Sequence, residues 1–393
     1  MPLFLPFRAL RYSSSHSLGD VTAPPYDVLS AADRAALAAQ SEHNVVHVDL
    51  PEGPEPYRHA AQLLADWQQR GVLVLDERPS FTLYRMRFTD SRGDKRNTVG
   101  VIGALEVVDE GAEGVLPHEQ TTPKAKTDRL DLTRATATNL SPVWGLSMRE
   151  QLTDALIAGG ESLGSFTDSD GVHHQVERVA DPARVRSIVS LVGSAPVLIA
   201  DGHHRYAIAR TFRDEMRGTA LEVAARTTLA YVGELVEQQL SIAAIHRLYR
   251  GISVDKLRQL LNESFAIEPL PAPATARVIA EMSVRGSMCL VDESMSGWWL
   301  TPKPGVFDHL RDLDSLRLEH ALRTTSYDVA YQHGFDEVAG AMSSGHAEAA
   351  IFIRPTSIAE IRRTADRREL MPPKSTFFTP KLRTGLVIRP LGA

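Results

Sequence analysis

A short apolar run that leads directly into a polar turn is the feature that most constrains the fold of this chain. Residues 195–200 read Ala-Pro-Val-Leu-Ile-Ala, which is typical of a short buried strand. The turn Asp201-Gly202-His203-His204-Arg205 follows at once, and residues 206–216 have the amphipathic pattern of a helix. In sheets covered by helices, ligands bind beyond the carboxyl ends of strands. The turn is therefore the first candidate site.

The rest of the pattern predicts a mixture of helices and strands in two parts. N-cap signals and apolar spacing predict helices over residues 31–40, 57–69, 182–192, 255–261, 313–323 and 357–367. Apolar or alternating runs predict strands over residues 45–50, 81–88, 99–107, 228–234, 241–245, 287–292 and 349–353. The pattern starts afresh after Gly251. We expect an α/β (mixed α+β) fold with a core over residues 1–250 and a C-terminal α/β unit over 251–393.

Composition excludes several classes of protein. The net charge is −6, and lysine and arginine form no long basic block, so a nucleic-acid partner is disfavoured. The single cysteine, Cys289, excludes internal disulfides and cysteine-based zinc sites, and its apolar neighbours predict burial. No apolar run approaches the ~20 residues of a membrane span, and the first residues do not resemble a signal peptide. We expect a cytoplasmic protein without a membrane partner, and its oligomeric state is left open.

The residue types of the turn suit a phosphate. Gly202 permits a backbone conformation that other residues resist, and Arg205 can donate two hydrogen bonds to a phosphate. His203 and His204 can donate hydrogen bonds or transfer protons. Asp201 can cap the helix, hold Mg²⁺ or orient a histidine. The alternative interpretation is that Asp201 is only an N-cap and that both histidines lie on the surface.

A second candidate lies within residues 109–139, a polar stretch that we expect to be a long functional loop. His118 and Glu119 form a potential acid–base pair, and Glu119 is the preferred general base. The cations that follow are suited to a polyanion, although they can equally solvate a surface loop: they are Lys124, Lys126 and Arg129.

Further polar segments are weaker candidates. The tail over residues 371–381 carries Lys374, Ser375 and Thr376 between prolines and can either close over a ligand or form a crossing loop. The rigid turn over 23–28 presents Tyr26 and Asp27 to the site or merely fixes the chain. His43 and His47 are not expected to form a metal pair, because a strand is favoured there, and His173 and His174 are predicted to lie in an exposed hairpin. The sequence has no P-loop and no GxGxxG motif.

Several motifs spread over the chain resemble the domain of unknown function 1015 family. They are Pro6-Phe7-Arg8-Ala9-Leu10-Arg11, Pro24-Pro25-Tyr26-Asp27-Val28, Pro117-His118-Glu119, Asp128-Arg129, Asn139-Leu140-Ser141-Pro142, Asp201 to Tyr206, His246-Arg247 and Lys374-Ser375-Thr376.

The Asp201 to Arg205 string is also similar to a motif of free serine kinases related to the ParB and sulfiredoxin nucleotide-binding fold. This resemblance implies a ParB/sulfiredoxin-like nucleotide-binding core in which His203, His204 and Arg205 hold phosphates. It further implies that Asp201 contacts a metal or the substrate hydroxyl. Those kinases use a carboxylate as base, for which Glu119 is the candidate by its chemistry.

The resulting hypothesis is a Mg²⁺-dependent phosphotransferase that acts on a small hydroxyl metabolite, with serine the first candidate. The phosphoryl donor would be ATP, ADP or pyrophosphate. The expected catalytic residues are Glu119, Asp201, His203 and His204, with Asp201 as the metal ligand. The residues expected to bind the donor are His118, Lys124, Lys126, Arg129, Gly202, Arg205, Lys374, Ser375 and Thr376. The alternatives are a non-catalytic nucleotide-binding regulatory module and a phosphoester or nucleotide hydrolase.

Overall fold

The computed structural model describes residues 1–90, 93–119 and 126–392, and for residues 126 and 127 it describes the backbone alone. In this part of the chain the strands are β1 Phe4–Leu5, β2 Leu10–Tyr12, β3 Leu73–Leu75, β4 Phe81–Thr89, β5 Lys95–Glu106, β6 Val115–Pro117, β7 Thr138–Asn139, β8 Val143–Ser147, β9 Glu161–Thr167, β10 His173–Val179, β11 Val197–Asp201, β12 Thr227–Glu234, β13 Ser241–Ala243, β14 Ile245–Arg250, β15 Phe265–Pro269, β16 Met288–Val291, β17 Gly297–Pro302, β18 Asp328–His333, β19 Ala349–Phe352, β20 Phe377–Thr379 and β21 Arg389–Pro390.

The helices of the same described residues are α1 Leu18–Val21, α2 Ala31–Gln40, α3 Val46–Asp49, α4 Pro56–Gln69, α5 Lys126–Thr136, α6 Leu152–Ile157, α7 Pro182–Val192, α8 His203–Glu215, α9 Glu222–Ala225, α10 Val254–Leu261, α11 Arg277–Arg285, α12 Asp314–Leu322, α13 Phe335–Ser343 and α14 Ile358–Asp366. A 3₁₀ turn covers Glu237–Gln239. The mixed α/β fold class predicted from the sequence is confirmed. No described helix combines the length and apolar character that a bilayer span needs.

The chain divides into two compact units. The first contains residues 1–241 and 380–393, and the second contains residues 242–379. The sequence pattern places the boundary near residue 250 and does not separate the last residues from the C-terminal unit. The first unit is therefore assembled from two stretches that are far apart in the sequence.

The first unit is built on a mixed sheet with strand order β6-β11-β8-β12-β5-β4-β10-β9, in which β1 also pairs with β5. Strand β11 runs parallel to β6 and antiparallel to β8, whereas β8 runs parallel to β12. The pairs β2–β3 and β7–β21 form two further small sheets. Because β6 and β11 are parallel, their carboxyl ends lie at the same edge of the sheet.

Local sequence explains the helices that support this sheet. Helix α7 starts where the Asp181 side chain accepts a hydrogen bond from the Arg184 N–H at 2.8 Å, and Pro182 occupies its first turn. Helix α4 likewise begins at Pro56 and buries a stripe formed by Ala60, Leu64 and Trp67. The helices predicted over 31–40, 57–69 and 182–192 are thus confirmed, and so is the strand before Asp201.

The second unit has a six-stranded antiparallel sheet with strand order β15-β17-β16-β19-β14-β18. Alternate residues of β16 face opposite sides: Leu290 packs in one apolar cluster with residues of α10 and α12, whereas Cys289 packs in another with residues of α11 and α13. Helices therefore cover both faces of the sheet. Cys289 is buried, as its apolar neighbours predict.

The strand predicted over residues 45–50 is wrong, because Val46–Asp49 forms the helical turn α3. The Asn44 side chain accepts a hydrogen bond from the Val46 N–H at 3.0 Å and donates to the Asp20 carbonyl at 2.8 Å. These contacts start the turn, and Val46 and Val48 are fully buried within it. Tertiary packing thus overrides the preference of β-branched residues for strands.

The long loop predicted over residues 109–139 is also wrong, because the segment contains β6, α5 and β7. Helix α5 buries Leu132 beside Trp67 of α4 and buries Leu130 beside Phe212 of α8. The apolar residues of α5 therefore pack against two different helices instead of forming one stripe. That arrangement hides the helical period in the sequence.

The hairpin predicted at His173 and His174 is confirmed, because β9 and β10 pair antiparallel across a short turn, but the predicted exposure is wrong, since His173 is half-buried and His174 is buried. Both residues belong to β10, which lies between β4 and β9. His174 is fully buried, with Nδ1 2.7 Å from the Tyr84 hydroxyl and Nε2 2.9 Å from Asp168 Oδ2. The partners of His174 are distant in sequence or lie across the turn, so no local pattern predicts its burial.

Candidate functional site

The end of β11 and the start of α8 place the turn motif at the edge of the first unit's sheet. Asp201 is the last residue of β11, and His203 is the first of α8. His118 follows the parallel strand β6 and is fully buried, and its Nδ1 is hydrogen-bonded to the Ile199 carbonyl. Parallel pairing of two short strands therefore brings residues 118 and 201–205 together.

Gly202 makes the sharp turn between strand and helix possible. Its φ is +86°, in the left-handed region that favours glycine. A Cβ at this position would lie 3.1 Å from both Nε and Cζ of Arg205. Gly202 is also the N-cap of α8 and provides no side-chain cap, so Asp201 is not the N-cap. The turn thus needs glycine both for its backbone angle and for the space beside Arg205.

Asp201 binds two cations. Its Oδ2 accepts a hydrogen bond from Arg205 Nη2 at 2.6 Å, and its Oδ1 accepts from Lys381 Nζ at 2.7 Å. Burial alone would raise the pKa of Asp201, but the charges of Lys381 and Arg205 hold that pKa well below its usual value. Asp201 is therefore an ionised anchor for both cations.

Two histidines beside Asp201 are held in the neutral form. The rings of His118 and His203 lie with their centroids 4.8 Å apart. Burial lowers the pKa of His118 to about 4, and burial together with the nearby His118 lowers the pKa of His203 well below its usual value. The Nε2 atom of His203 is buried and has no hydrogen-bond partner among the described residues. His204 follows His203 in α8 and is half-buried.

Arg205 links the turn to the segment before β8. Its Nη1 donates to Ser141 Oγ at 3.0 Å and to the Pro142 carbonyl, while its Nε is buried without a partner in the described part of the chain. Its side chain is only 10% exposed. Burial would lower the pKa of Arg205, but the nearby carboxylates, Asp201 first among them, raise it, so the guanidinium stays charged. We call the group His118, Asp201, His203, Arg205 and Lys381 the motif cluster.

Arg205 also lines a cleft that we call the arginine cleft. Helix α8 forms one wall through Arg205, Ile208, Ala209 and Phe212, which lie on a single face. The space between the walls is about 640 Å³, part of it open solvent. The remaining residues that line the arginine cleft are Tyr26, Asp49, Arg129, Leu132, Thr133, Thr138, Asn139, Leu140, Ser141, Ala225, Thr227, Thr228 and Leu391.

A second arginine faces this cleft with its counter-ion. Arg129 Nη1 lies 3.3 Å from Asp49 Oδ1 and donates to the Asp49 carbonyl, and its Nε donates to Asp128 Oδ2 at 2.6 Å. Its guanidinium carbon lies 4.6 Å from the centre of the Tyr26 ring, a cation–π distance. Burial raises the pKa of Asp49. Sequence reasoning missed Asp49, because its segment is predicted to be a strand.

Arg389 is a third buried arginine beside the cleft. Its Nη1 donates to Asn139 Oδ1 at 3.0 Å and to the Thr227 carbonyl at 2.9 Å, and its Nη2 donates to the Ala224 carbonyl at 2.9 Å. Among the described residues it has no carboxylate partner, and burial lowers its pKa to about 10. No motif or pattern in the sequence around Arg389 predicts that it lies beside the arginine cleft.

The sequence model of one family matches most of the chain. The family is described as "Protein of unknown function (DUF1015)", and the match covers residues 4–316. The chain belongs to the DUF1015 family. A search of curated proteins finds no match to this DUF1015 sequence.

Solved structures give distant similarities to this DUF1015 chain. A conserved hypothetical protein from Pyrococcus furiosus is 13% identical with a TM-score of 0.38, over 67% of this chain and 87% of that one. A free serine kinase in complex with AMP is 14% identical with a TM-score of 0.38, over 69% and 88%. SbnI with a C-terminal truncation, from Staphylococcus aureus, is 13% identical with a TM-score of 0.41, over 74% and 87%. Such TM-scores are too low to assign a fold, so the ParB-like core stays a prediction.

The structure of this DUF1015 chain brings together most of the residues singled out in the sequence. Those in the motif cluster, beside it or in the arginine cleft are His118, Arg129, Asp201, Gly202, His203, His204 and Arg205. Glu119 follows His118 directly and is half-buried. Lys124 lies outside the described residues, as does the side chain of Lys126. Lys381, which binds Asp201, is the last residue of the tail segment that the sequence singles out.

The tail residues Lys374, Ser375 and Thr376 belong to the second unit. Ser375 is buried, and its hydroxyl donates to the Pro372 carbonyl at 2.7 Å. The carbonyl of Lys374 accepts from Arg247 at 3.2 Å. Within that unit the segment is fixed by local contacts, and a role in binding the donor stays a prediction.

Asp201 does not fit as a Mg²⁺ ligand in this arrangement. Mg²⁺ takes oxygen ligands in near-octahedral geometry. Both carboxylate oxygens of Asp201 already accept from cations, and the described residues contain no group of three or more His, Cys, Asp or Glu side chains placed to hold an ion. Lys381 and Arg205 supply the positive charge at Asp201 that a metal would otherwise bring.

Proposed function

We propose that this DUF1015 protein transfers a phosphoryl group from a nucleotide or pyrophosphate to the hydroxyl of a small metabolite, with serine the first acceptor to test. Phosphoryl transfer mainly requires positioning and the neutralisation of charge. A site rich in fixed cations and hydrogen-bond donors meets that requirement. The proposal also agrees with the resemblance of the Asp201 to Arg205 string to a phosphate-binding motif.

The observation that carries the proposal is the position of Arg205, which belongs both to the motif cluster and to the arginine cleft. Arg129 also lines the arginine cleft, so two guanidinium groups face the same space. Guanidinium groups match the geometry of phosphate oxygens. The buried Nε of Arg205 and the buried Nε2 of His203 are polar atoms that a phosphate could satisfy.

Each group then has a separate task. The phosphates of the donor would lie at the start of α8, where backbone N–H groups and His203 face them. Asp201 would orient Arg205, and Arg129 would hold a negatively charged group in the cleft. Glu119 would accept the proton of the acceptor hydroxyl as general base. No step is assigned to a metal, and we expect Mg²⁺ to arrive with the phosphates of the donor.

The first experiment measures product formation and assigns it to Arg205. Purified protein is incubated with ATP, ADP or pyrophosphate and a panel of hydroxylated metabolites that includes serine. We expect a phosphorylated product, and Arg205→Ala should lower its rate at least ~100-fold, the scale of losing one electrostatic contact to a transition state. Arg210→Ala is the matched control, because Arg210 lies on the same helix and pairs with the exposed Glu110. Its rate should stay within about twofold of wild type.

A second variant separates binding from chemistry. Glu119→Gln should keep the affinity for ADP within about threefold and lower turnover at least ~100-fold, because it removes a base and leaves the phosphate contacts intact. No product with any donor across the panel would contradict the proposal. ADP binding without product would favour the regulatory module, and phosphate release without an acceptor would favour a hydrolase.

A further inference from the structure

Asp49 is a buried carboxylate of the arginine cleft that the proposed reaction does not use. Its side chain is only 5% exposed. Among the described residues its carboxylate accepts a single hydrogen bond, from Arg129 Nη1 to Oδ1, and the distance of 3.3 Å is long for a charge-assisted bond. A buried charge is normally compensated by several hydrogen bonds. The second oxygen, Oδ2, can therefore accept from a donor that enters the cleft.

Tyr26 brings an unused hydroxyl to the same part of the cleft. The centre of its ring lies 4.6 Å from the guanidinium carbon of Arg129, and the residue lines the cleft. The described residues offer its hydroxyl no hydrogen-bond partner. Burial raises the pKa of Tyr26, so the hydroxyl stays protonated at neutral pH and can donate. The turn over residues 23–28 thus presents a neutral donor beside Arg129.

Arg129 fixes these two groups next to each other. Its side chain is 8% exposed and contacts Asp49 through Nη1 and the Tyr26 ring through its face. On the other side its Nε donates to Asp128 Oδ2 at 2.6 Å, and Asp128 in turn accepts from the Tyr57 hydroxyl at 2.6 Å. The guanidinium is therefore held from two directions. We call Tyr26, Asp49 and Arg129 the polar corner of the arginine cleft.

The polar corner combines a free acceptor oxygen with neighbouring donors. A small molecule matches both when it carries a donor and an anionic oxygen close together, as an α-amino acid does. At Asp49 an ammonium group fits better than a neutral donor. Burial raises the pKa of Asp49 while the charges of Arg129 and Arg205 lower it, and a further positive charge would stabilise the ionised carboxylate. Charge-assisted hydrogen bonds are also about twice as strong as neutral ones.

We propose that Asp49 and Tyr26 determine the specificity of this site by recognising the acceptor as an α-amino acid. Asp49 Oδ2 accepts a hydrogen bond from the ammonium group, and the Tyr26 hydroxyl donates to the carboxylate beside Arg129. The inference rests on the proposed function and deepens it, because it names the class of acceptor and the residues that select it. An acceptor held by these two groups keeps its side-chain hydroxyl free for the phosphates near Arg205.

The test measures equilibrium binding to the full-length chain by ligand-observed NMR titration, with and without ADP. The ligands are serine, 3-hydroxypropionate, which lacks only the ammonium group, and ethanolamine, which lacks only the carboxylate. Wild type should bind serine at least ~10-fold more tightly than either analogue, the scale of one hydrogen bond to a charged group.

Two nearly isosteric variants assign this preference to the polar corner. Asp49→Asn should weaken serine at least ~10-fold and leave 3-hydroxypropionate within about threefold of wild type, because only the ammonium contact is lost. Tyr26→Phe should weaken serine and 3-hydroxypropionate and leave ethanolamine within about twofold. Both variants should bind ADP as wild type does. Asp131→Asn is the matched control, because Asp131 of α5 is 41% exposed and pairs with Arg134, and it should bind serine as wild type does.

The outcomes separate this inference from the proposed function. Unchanged serine affinity in both variants, or no serine binding by wild type with or without ADP, would overturn the inference whatever the product assay shows. Equal affinity of wild type for serine and both analogues would overturn it too. Serine binding with the expected losses, but no phosphorylated product with any donor, would refute the proposed function and leave an amino-acid site. Should thermal unfolding show that Asp49→Asn is not folded, Tyr26→Phe and the wild-type comparison decide.

Discussion

Individual residues in the motif cluster are held in states that the isolated sequence does not favour. His118 and His203 are kept neutral by burial, and Asp201 stays ionised between two cations. Burying these polar and charged groups costs free energy, and their neighbours compensate for that cost. Gly202, beside the cluster, has a positive φ that glycine adopts readily and other residues do not. Such costs concentrate at functional sites, so substitutions here should affect ligand binding more than their effect on stability alone suggests.

Gly202→Ala should lower both stability and ligand affinity. A left-handed φ costs a non-glycine residue about 1–2 kcal/mol. The added Cβ would lie 3.1 Å from Nε and Cζ of Arg205 and would displace the guanidinium. Urea unfolding measures the first effect, and ADP titration measures the second, for which we expect at least a tenfold loss.

Gly218→Ala is the matched control for this substitution. Gly218 has a φ of +75°, and no atom lies within 4 Å of its ideal Cβ position. It should show a similar loss of stability and bind ADP as wild type does. Equal ADP affinities in both variants would contradict the role given to Gly202 beside Arg205.

At the scale of elements, the site depends on contacts between segments that are distant in sequence. Arg389 of β21 joins β7 to the start of β12 through Asn139 and Thr227, both of which line the arginine cleft. Buried arginine without a carboxylate partner is costly, and its carbonyl partners would lose their donors if it were removed. Residues 380–393 thus shape the cleft and also bring Lys381 to Asp201.

Arg389→Met should therefore lower the free energy of unfolding by about 3 kcal/mol or more, because several buried acceptors would be left without partners. Arg226→Met is the control, since Arg226 is 63% exposed and pairs with Glu222 one turn earlier. Its effect should stay within about 0.5 kcal/mol. Urea unfolding of both variants measures the difference, and equal effects would show that Arg389 does not hold β7 and the start of β12 together.

The difference between local patterns and contacts distant in sequence explains what the sequence could predict. The strand, turn and helix around residues 197–215 are encoded locally by an apolar run, a glycine and an amphipathic period, so they are recognised directly. Helix α5 and the turn α3 depend on burial against other helices, which no local pattern records. Asp49 lines the cleft from α3, and Arg389 lies beside the cleft in β21, whose pairing with β7 also joins segments that are distant in sequence. Sequence reasoning missed both for that reason, although it identified Arg129 and Arg205.

On the scale of the whole molecule, the second unit occupies the chain between residues 241 and 380, whose flanking stretches both belong to the first unit. Three apolar clusters of described residues in the first unit contain members from residues 4–232 and 388–391, and these three clusters contain no residue of the second unit. Each unit thus has its own core, which is the physical basis for independent folding. Residues 380–393 add Ile388 and Leu391 to the apolar clusters that the first 241 residues form.

A chain in which a flexible Gly/Ser linker replaces residues 242–379 should therefore fold. We expect helical and strand signals in circular dichroism and one cooperative urea transition, because all three clusters of the first unit remain. The matched control is a chain of residues 1–241 alone, which lacks Ile388, Arg389 and Leu391 and should show no cooperative transition. ADP affinity equal to wild type in the linker variant would exclude a binding role for residues 374–376. Absence of a cooperative transition in the linker variant would mean that the first unit needs the second in order to fold.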